Sequence, residues 1–313
     1  MNINDINEAR DRIKPYIKRT PLELSNSLTR RLGVDVYVKF ELFQKTGAFK
    51  ARGAFNKMLC LTENEREQGV VAVSGGNHAQ AVAYAASVLG LRAVILMPDT
   101  TPKNYVEATR GYGATVDLQP TIAAAFAKID DYRAMGMAFV HPFDDPLVMA
   151  GQGTLGLEIL DDLPDATDII LSIGGGGLAG GVATAVKSIK PNIRLWGVET
   201  VGADAMSQAL AAGHPVELAA ITSIAKTLGA PSVSPTTLDL TQKYFESVTV
   251  VTDAEAVDAL RFILERLKVI TEPAASCTFA AALKLRAQFD AKSKVVLILC
   301  GGNTSVADLC GYI

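Results

Sequence analysis

Two rhythms of apolar and polar residues run along this chain. From Val34 to Glu41, Val34, Val36, Val38 and Phe40 alternate with Asp35, Tyr37 and Lys39, the period of a strand with one buried face. A helical pattern follows from Phe49 to about Gln68, and another opens the chain over Ile3–Tyr16. Between Gly69 and His141 the pattern is compact. Strands are predicted over Val70–Ser74, Arg92–Pro98, Ala114–Gln119 and Met137–His141, with helices over Asn77–Leu89, Thr101–Tyr112 and Ile122–Met135 between them. After a helix over Leu147–Leu163, a second series has strands at Asp168–Gly174, Ile193–Glu199, Ser247–Thr252 and Lys294–Cys300. Helices are expected between them at Leu178–Ile189, Ala203–Ala212 and Asp253–Lys268. These strands are dense in Val, Ile and Leu, as strands covered on both faces should be. The fold class is α/β, with two doubly wound parallel-sheet domains. The longest stretch without periodicity, Pro215–Pro235, is expected to be a functional or mobile loop.

Composition narrows the function classes. With 313 residues, 49% hydrophobic and 20% charged, the chain is an ordinary globular one, and its formal net charge of -3 gives no footprint for nucleic acid or anionic membrane. No apolar run reaches the roughly 18 residues of a membrane span, and Met1–Asp5 lacks the basic start of a signal peptide, so a cytoplasmic protein is expected. The four cysteines show no C-x-x-C spacing and the three histidines are scattered, which excludes a zinc pattern and points to reduced thiols.

Three motifs carry chemistry. Lys50 lies at a strand-to-helix junction, where the macrodipole opposes a positive charge and lowers an ammonium's pKa; a neutral amine is what carbonyl attack requires. A solvated surface lysine is the competing reading for Lys50 taken alone. Gly174, Gly175, Gly176 and Gly177 stand between an apolar strand and an Ala-rich helix, where bare backbone N–H groups can close around a phosphate. The same stretch satisfies G-x-G-x-x-G through Gly175, Gly177 and Gly180, with Glu199 about 20 residues on as a ribose-binding acid would be. A nicotinamide oxidoreductase is therefore an alternative, and a catalytically dead binding module is another. Ser74-Gly75-Gly76-Asn77-His78 joins a strand end to a helix start at the ligand-binding edge of an open sheet, although Ser74 and Asn77 could equally be helix caps.

The stretch Lys45-Thr46-Gly47-Ala48-Phe49-Lys50-Ala51-Arg52-Gly53-Ala54 resembles the lysine motif of the fold-type II pyridoxal-phosphate enzymes, with Ala48 in place of the usual Ser. These are the serine and threonine dehydratases, serine racemases and relatives of tryptophan synthase β-like fold. Ser74–His78, Gly174–Leu178 and Cys300-Gly301-Gly302-Asn303 fall in the family's order and spacing, so the resemblance spans nearly the whole chain. It implies pyridoxal 5'-phosphate held by Phe49, Lys50, Asn77, Gly174, Gly175, Gly176, Gly177, Leu178 and Cys300, with Lys50 carrying the Schiff base and acting as the catalytic base. Ser74, Gly75 and His78 would hold the amino-acid substrate. Residues 1–61 and 146–313 would form a large cofactor-binding domain and 69–141 a small one. A homodimer is expected, and with nothing after Ile313, control through a C-terminal regulatory domain is not.

The departures from the family pattern are informative. Gly75 replaces the Ser that serine racemases use as acid and base, so elimination is expected over racemisation. Cys300 stands where a Ser or Thr usually meets the pyridine nitrogen; a thiol is likewise neutral, leaving that nitrogen unprotonated and favouring loss of a β-hydroxyl. Ile224-Ala225-Lys226-Thr227-Leu228-Gly229 replaces the usual I-A-D-G, and Lys226 is expected to alter charge near the substrate's β-substituent. Glu199 and Ala203 match two of three divalent-cation positions of some relatives, but Ala205 replaces the Asp, and no metal is expected. The reading reached is an ammonia-lyase for a threonine- or serine-like β-hydroxy amino acid, with bulkier phenylserine or 3-hydroxyaspartate as alternatives.

Overall fold

A computed structural model describes residues 1–313 and gathers ten strands into two sheets. In chain order these are Leu22–Leu24 (β1), Asp35–Lys39 (β2), Val70–Val73 (β3), Ala93–Pro98 (β4), Thr115–Gln119 (β5), Ala138–Phe139 (β6), Asp168–Ser172 (β7), Arg194–Thr200 (β8), Phe245–Val251 (β9) and Lys294–Ile298 (β10). The larger sheet runs β1-β2-β10-β7-β8-β9 and the smaller β5-β4-β3-β6. Every pairing is parallel except β1 with β2, an antiparallel edge that the three-residue β1 was too short to announce. Strands β7 and β10 sit mid-sheet, and their apolar positions Ile169–Leu171 and Val295–Ile298 are fully buried, as two-sided cover by helices requires.

Helix Pro146–Asp162 links the halves and is buried from Val148 to Leu160. Its glycines explain how: a Cβ on Gly151 would lie 2.6 Å from Arg52 O, and one on Gly153 2.8 Å from Gly181 O. Two neighbouring helices, Lys50–Leu59 and Gly177–Ile189, therefore pack against it backbone to backbone.

Two expected helices are broken. The segment after Lys50 stops at Leu59, and Thr62 starts a new helix, Glu63–Gln68, by a capping box with Glu65. Ile122–Met135 divides at Lys128 into Ile122–Ala127 and Ile129–Ala134. The 215–235 stretch holds only a short turn of helix at Lys226–Leu228 before helix Pro235–Tyr244. No helix is long and apolar enough to cross a membrane.

Candidate active site

The chain leaving β2 turns sharply before Lys50. Thr46 and Gly47 both take left-handed backbone (φ 59° and 71°), a costly conformation for a β-branched residue. Ala48 then bridges to Gly301, and Phe49 N donates to Cys300 O at 3.0 Å, laying the motif across the end of β10. Helix Lys50–Leu59 is fastened from beneath by Arg52. This fully buried guanidinium meets Glu41 through Nε and Nη2, both at 2.8 Å, and Glu158 through Nη1 and Nη2 at 2.8 and 2.9 Å. Lys39 Nζ adds a 2.6 Å contact to Glu158, so two cations face two carboxylates and the buried charge balances.

Lys50 itself is half-buried, its Nζ donating to Pro142 O at 2.6 Å and lying 5.2 Å from the Phe49 ring centre. Loss of solvent lowers its pKa to about 8. Burial is the cause, and Pro142 O crosses over the amine. Cys300 is buried beside Ser172 Oγ (3.4 Å), and burial pushes its thiol up to about 12, so it stays neutral.

After β7, Gly176 adopts φ 91° and helix Gly177–Ile189 begins. None of the N–H groups from Gly174 to Ala179 donates within the chain. The loop is walled closely: a Cβ on Gly175 would lie 2.2 Å from the Phe143 ring, and one on Gly174 2.7 Å from Leu228 O. Six free N–H groups at a helix N-terminus make a cradle for a phosphate, which fits the group the sequence implies.

The second loop follows β3. Ser74 Oγ accepts from Gly76 N at 3.1 Å. Asn77 is saturated, its Nδ2 donating to both oxygens of Glu272 (2.9 and 3.1 Å) while its Oδ1 accepts from Asn303 Nδ2 at 2.8 Å. His78 is buried and its Nε2 donates to Val140 O at 2.8 Å; burial first, then Lys50, lowers its pKa to about 3. A neutral His78 brings no charge to a substrate carboxylate. Glu272, which has no motif, proves to be the hub: it also accepts from Asn303 N at 2.9 Å and from Thr227 Oγ1 at 2.5 Å. An acid directly before Pro273 at a helix start was its only sequence signal.

Lys226 is exposed, Thr227 reaches Glu272, and Leu228 is buried. The expected change of pocket charge thus becomes a neutral hydroxyl at residue 227. Glu199 gives both oxygens to the start of helix Ala205–Ala212, through Met206 N (2.9 Å) and Ser207 N (2.7 Å), and burial raises its pKa to about 7. A buried carboxylate so committed is not free for a ribose hydroxyl, which removes the acid that the nicotinamide reading needed.

The pattern described as "Pyridoxal-phosphate dependent enzyme" matches residues 13–301. The chain belongs to that family. It is 40% identical over 309 residues to the L-threonine ammonia-lyase of Thermotoga maritima, spanning 98% of this chain and 76% of that protein. Maize serine racemase superposes with a TM-score of 0.94 at 37% identity, covering 99% of this chain and 96% of that one. The T.th. threonine deaminase superposes at 0.91, also with 37% identity, covering 97% and 99%. Lys50, the glycine loop and the Ser74–His78 loop all lie within the matched range.

Proposed function

We propose that this chain is a pyridoxal-phosphate-dependent ammonia-lyase, converting L-threonine or a related β-hydroxy amino acid to a 2-oxo acid and ammonia. The observation that carries the reading is the desolvated amine of Lys50, pKa about 8, set with a six-donor anion cradle and a neutral buried thiol. When bound, pyridoxal phosphate supplies an electron sink for the Cα of an amino acid joined to it.

In this reading Gly174–Leu178 would hold the phosphate, Asn77, now donating to Glu272, would hold the cofactor ring, and Phe49 packs beside Lys50. Lys50 Nζ takes the Cα proton, which a lowered pKa makes available near neutral pH. Cys300 would offer the cofactor ring an uncharged partner, a setting that would favour loss of the β-hydroxyl. Ser74, Gly75 and His78 border the substrate, and the neutral Thr227 beside Gly76 favours an uncharged β-substituent such as threonine's methyl. Residues 1–61 and 146–313 form the large unit in this reading and 69–141 the small one. The protein acts in the cytoplasm as a homodimer, for which the exposed Leu24 and Phe43 offer apolar surface.

The test is 2-oxo acid release from L-threonine, L-serine, 3-hydroxyaspartate and phenylserine, with the absorbance of the purified protein. Threonine should exceed serine by about tenfold in kcat/KM, the worth of a methyl in an apolar pocket. Serine matching every larger substrate refutes the specificity, and absence of any visible cofactor band refutes the reading itself.

A further inference from the structure

Thr101 lies in the turn after β4, its N–H donating to Pro98 O at 2.9 Å. The residue is only 8% exposed, yet its Oγ1 has no hydrogen-bond partner. Buried hydroxyls are nearly always satisfied, so an orphan at the rim of a site asks what completes it. Gly75 says where the hydroxyl lies. A Cβ at Gly75 would be 2.7 Å from Thr101 Oγ1 and 3.6 Å from the Pro98 ring, so the hydroxyl fills the space a side chain there would need.

The neighbouring donors are also free. The N–H groups of Gly75, Asn77 and His78 find no acceptor in the chain, and they open helix Asn77–Leu89, thirteen residues long, whose dipole favours an anion. Ser74 Oγ accepts from Gly76 N, which leaves its own proton to donate. Every one of these groups is a neutral donor. A carboxylate, acceptor-only with about four lone-pair positions, is the ligand chemistry that satisfies them together.

We propose that Thr101 is a substrate-binding residue, its Oγ1 donating to the amino acid's carboxylate through the gap that Gly75 leaves. The inference rests on the ammonia-lyase reading, which brings an amino acid to this loop, and adds a residue from outside the Ser74–His78 motif. Hydrogen bonds to a charged acceptor are stronger than neutral ones, so the loss should register in affinity.

The experiment compares wild type, Thr101→Val, Thr101→Ala and Thr101→Ser as cofactor-loaded proteins. L-alanine, which carries the same carboxylate and no leaving group, is titrated by the change in visible absorbance. Valine and alanine variants should bind it about ten- to a hundredfold more weakly, and serine close to wild type. Melting without amino acid supplies a readout independent of turnover. Thr101→Val, which swaps an orphaned hydroxyl for a methyl, should melt at or above wild type.

Unchanged L-alanine affinity in the valine or alanine variant overturns the proposal. So does melting of Thr101→Val clearly below wild type, which would make the hydroxyl part of the scaffold. If wild type turns over L-threonine and only these comparisons fail, the inference falls alone; if wild type responds to no amino acid, the ammonia-lyase reading falls with it.

Discussion

Replacing Arg52 by Met tests whether the site rests on its buried ion network. The guanidinium makes four bonds of 2.8–2.9 Å to Glu41 and Glu158 and a fifth, 3.1 Å, to Thr154 Oγ1. With Arg52 gone, Glu158 keeps Lys39, whose Nζ it shares with Thr20 O, while buried Glu41 keeps the Thr20 hydroxyl but no cation. Breaking a buried pair from one side costs about 3–5 kcal/mol, chiefly because a charge is stranded without water or partner. Unfolding entropy near 2.1 cal/mol/K per residue makes a chain of 313 residues lose about 5–8 °C in Tm for that cost. Thermal unfolding of the cofactor-free protein, followed by circular dichroism, measures it. Adding Glu41→Gln should return part of the loss, since it removes the stranded charge. A fall of less than about 1 °C for Arg52→Met would refute the reasoning and reduce the network to spectators.

Three further outcomes are expected. Lys50 of the apoprotein should react with an amine-directed acylating reagent with a pH midpoint of about 8, read by mass spectrometry; a midpoint near the ordinary 10.5 would remove the desolvation argument. Because that pKa is lowered on folding, the folded chain binds fewer protons between pH 8 and 10.5, and this group makes the apoprotein more stable as pH rises through that window. Gly53→Ala should destabilise by about 1–3 kcal/mol despite alanine's better helix propensity, since its Cβ would fall 2.5 Å from Gln152 Nε2 and 2.7 Å from Val148 O; an unchanged Tm counts against the tight crossing. From L-serine, pyruvate should form faster than D-serine, as Gly75 carries no proton-transferring group; equal rates overturn that reading.

Much of this was local, and so visible in the sequence. Strand and helix periods are written in neighbouring residues, and the strand-to-helix junctions at Lys50, Ser74 and Gly174 followed from them. Bare glycine N–H groups bind anions by the same local geometry wherever the helix begins. Periodicity names a buried face but not what buries it, and the partners came only with the fold. Strand β2 pairs with β10, far along the chain, and that pairing brings Phe49 to Cys300. Pro142 and Phe143 close over Lys50 and Gly175 from a crossing segment without a motif. Glu272 became the hub of Asn77, Asn303 and Thr227, while Lys226, the residue whose charge stood out, turned to solvent. Short-range pattern determines which residues can present an amine or an N–H group. Tertiary closure decides which lose water, and with it which pKa values move and which donors are left for a ligand.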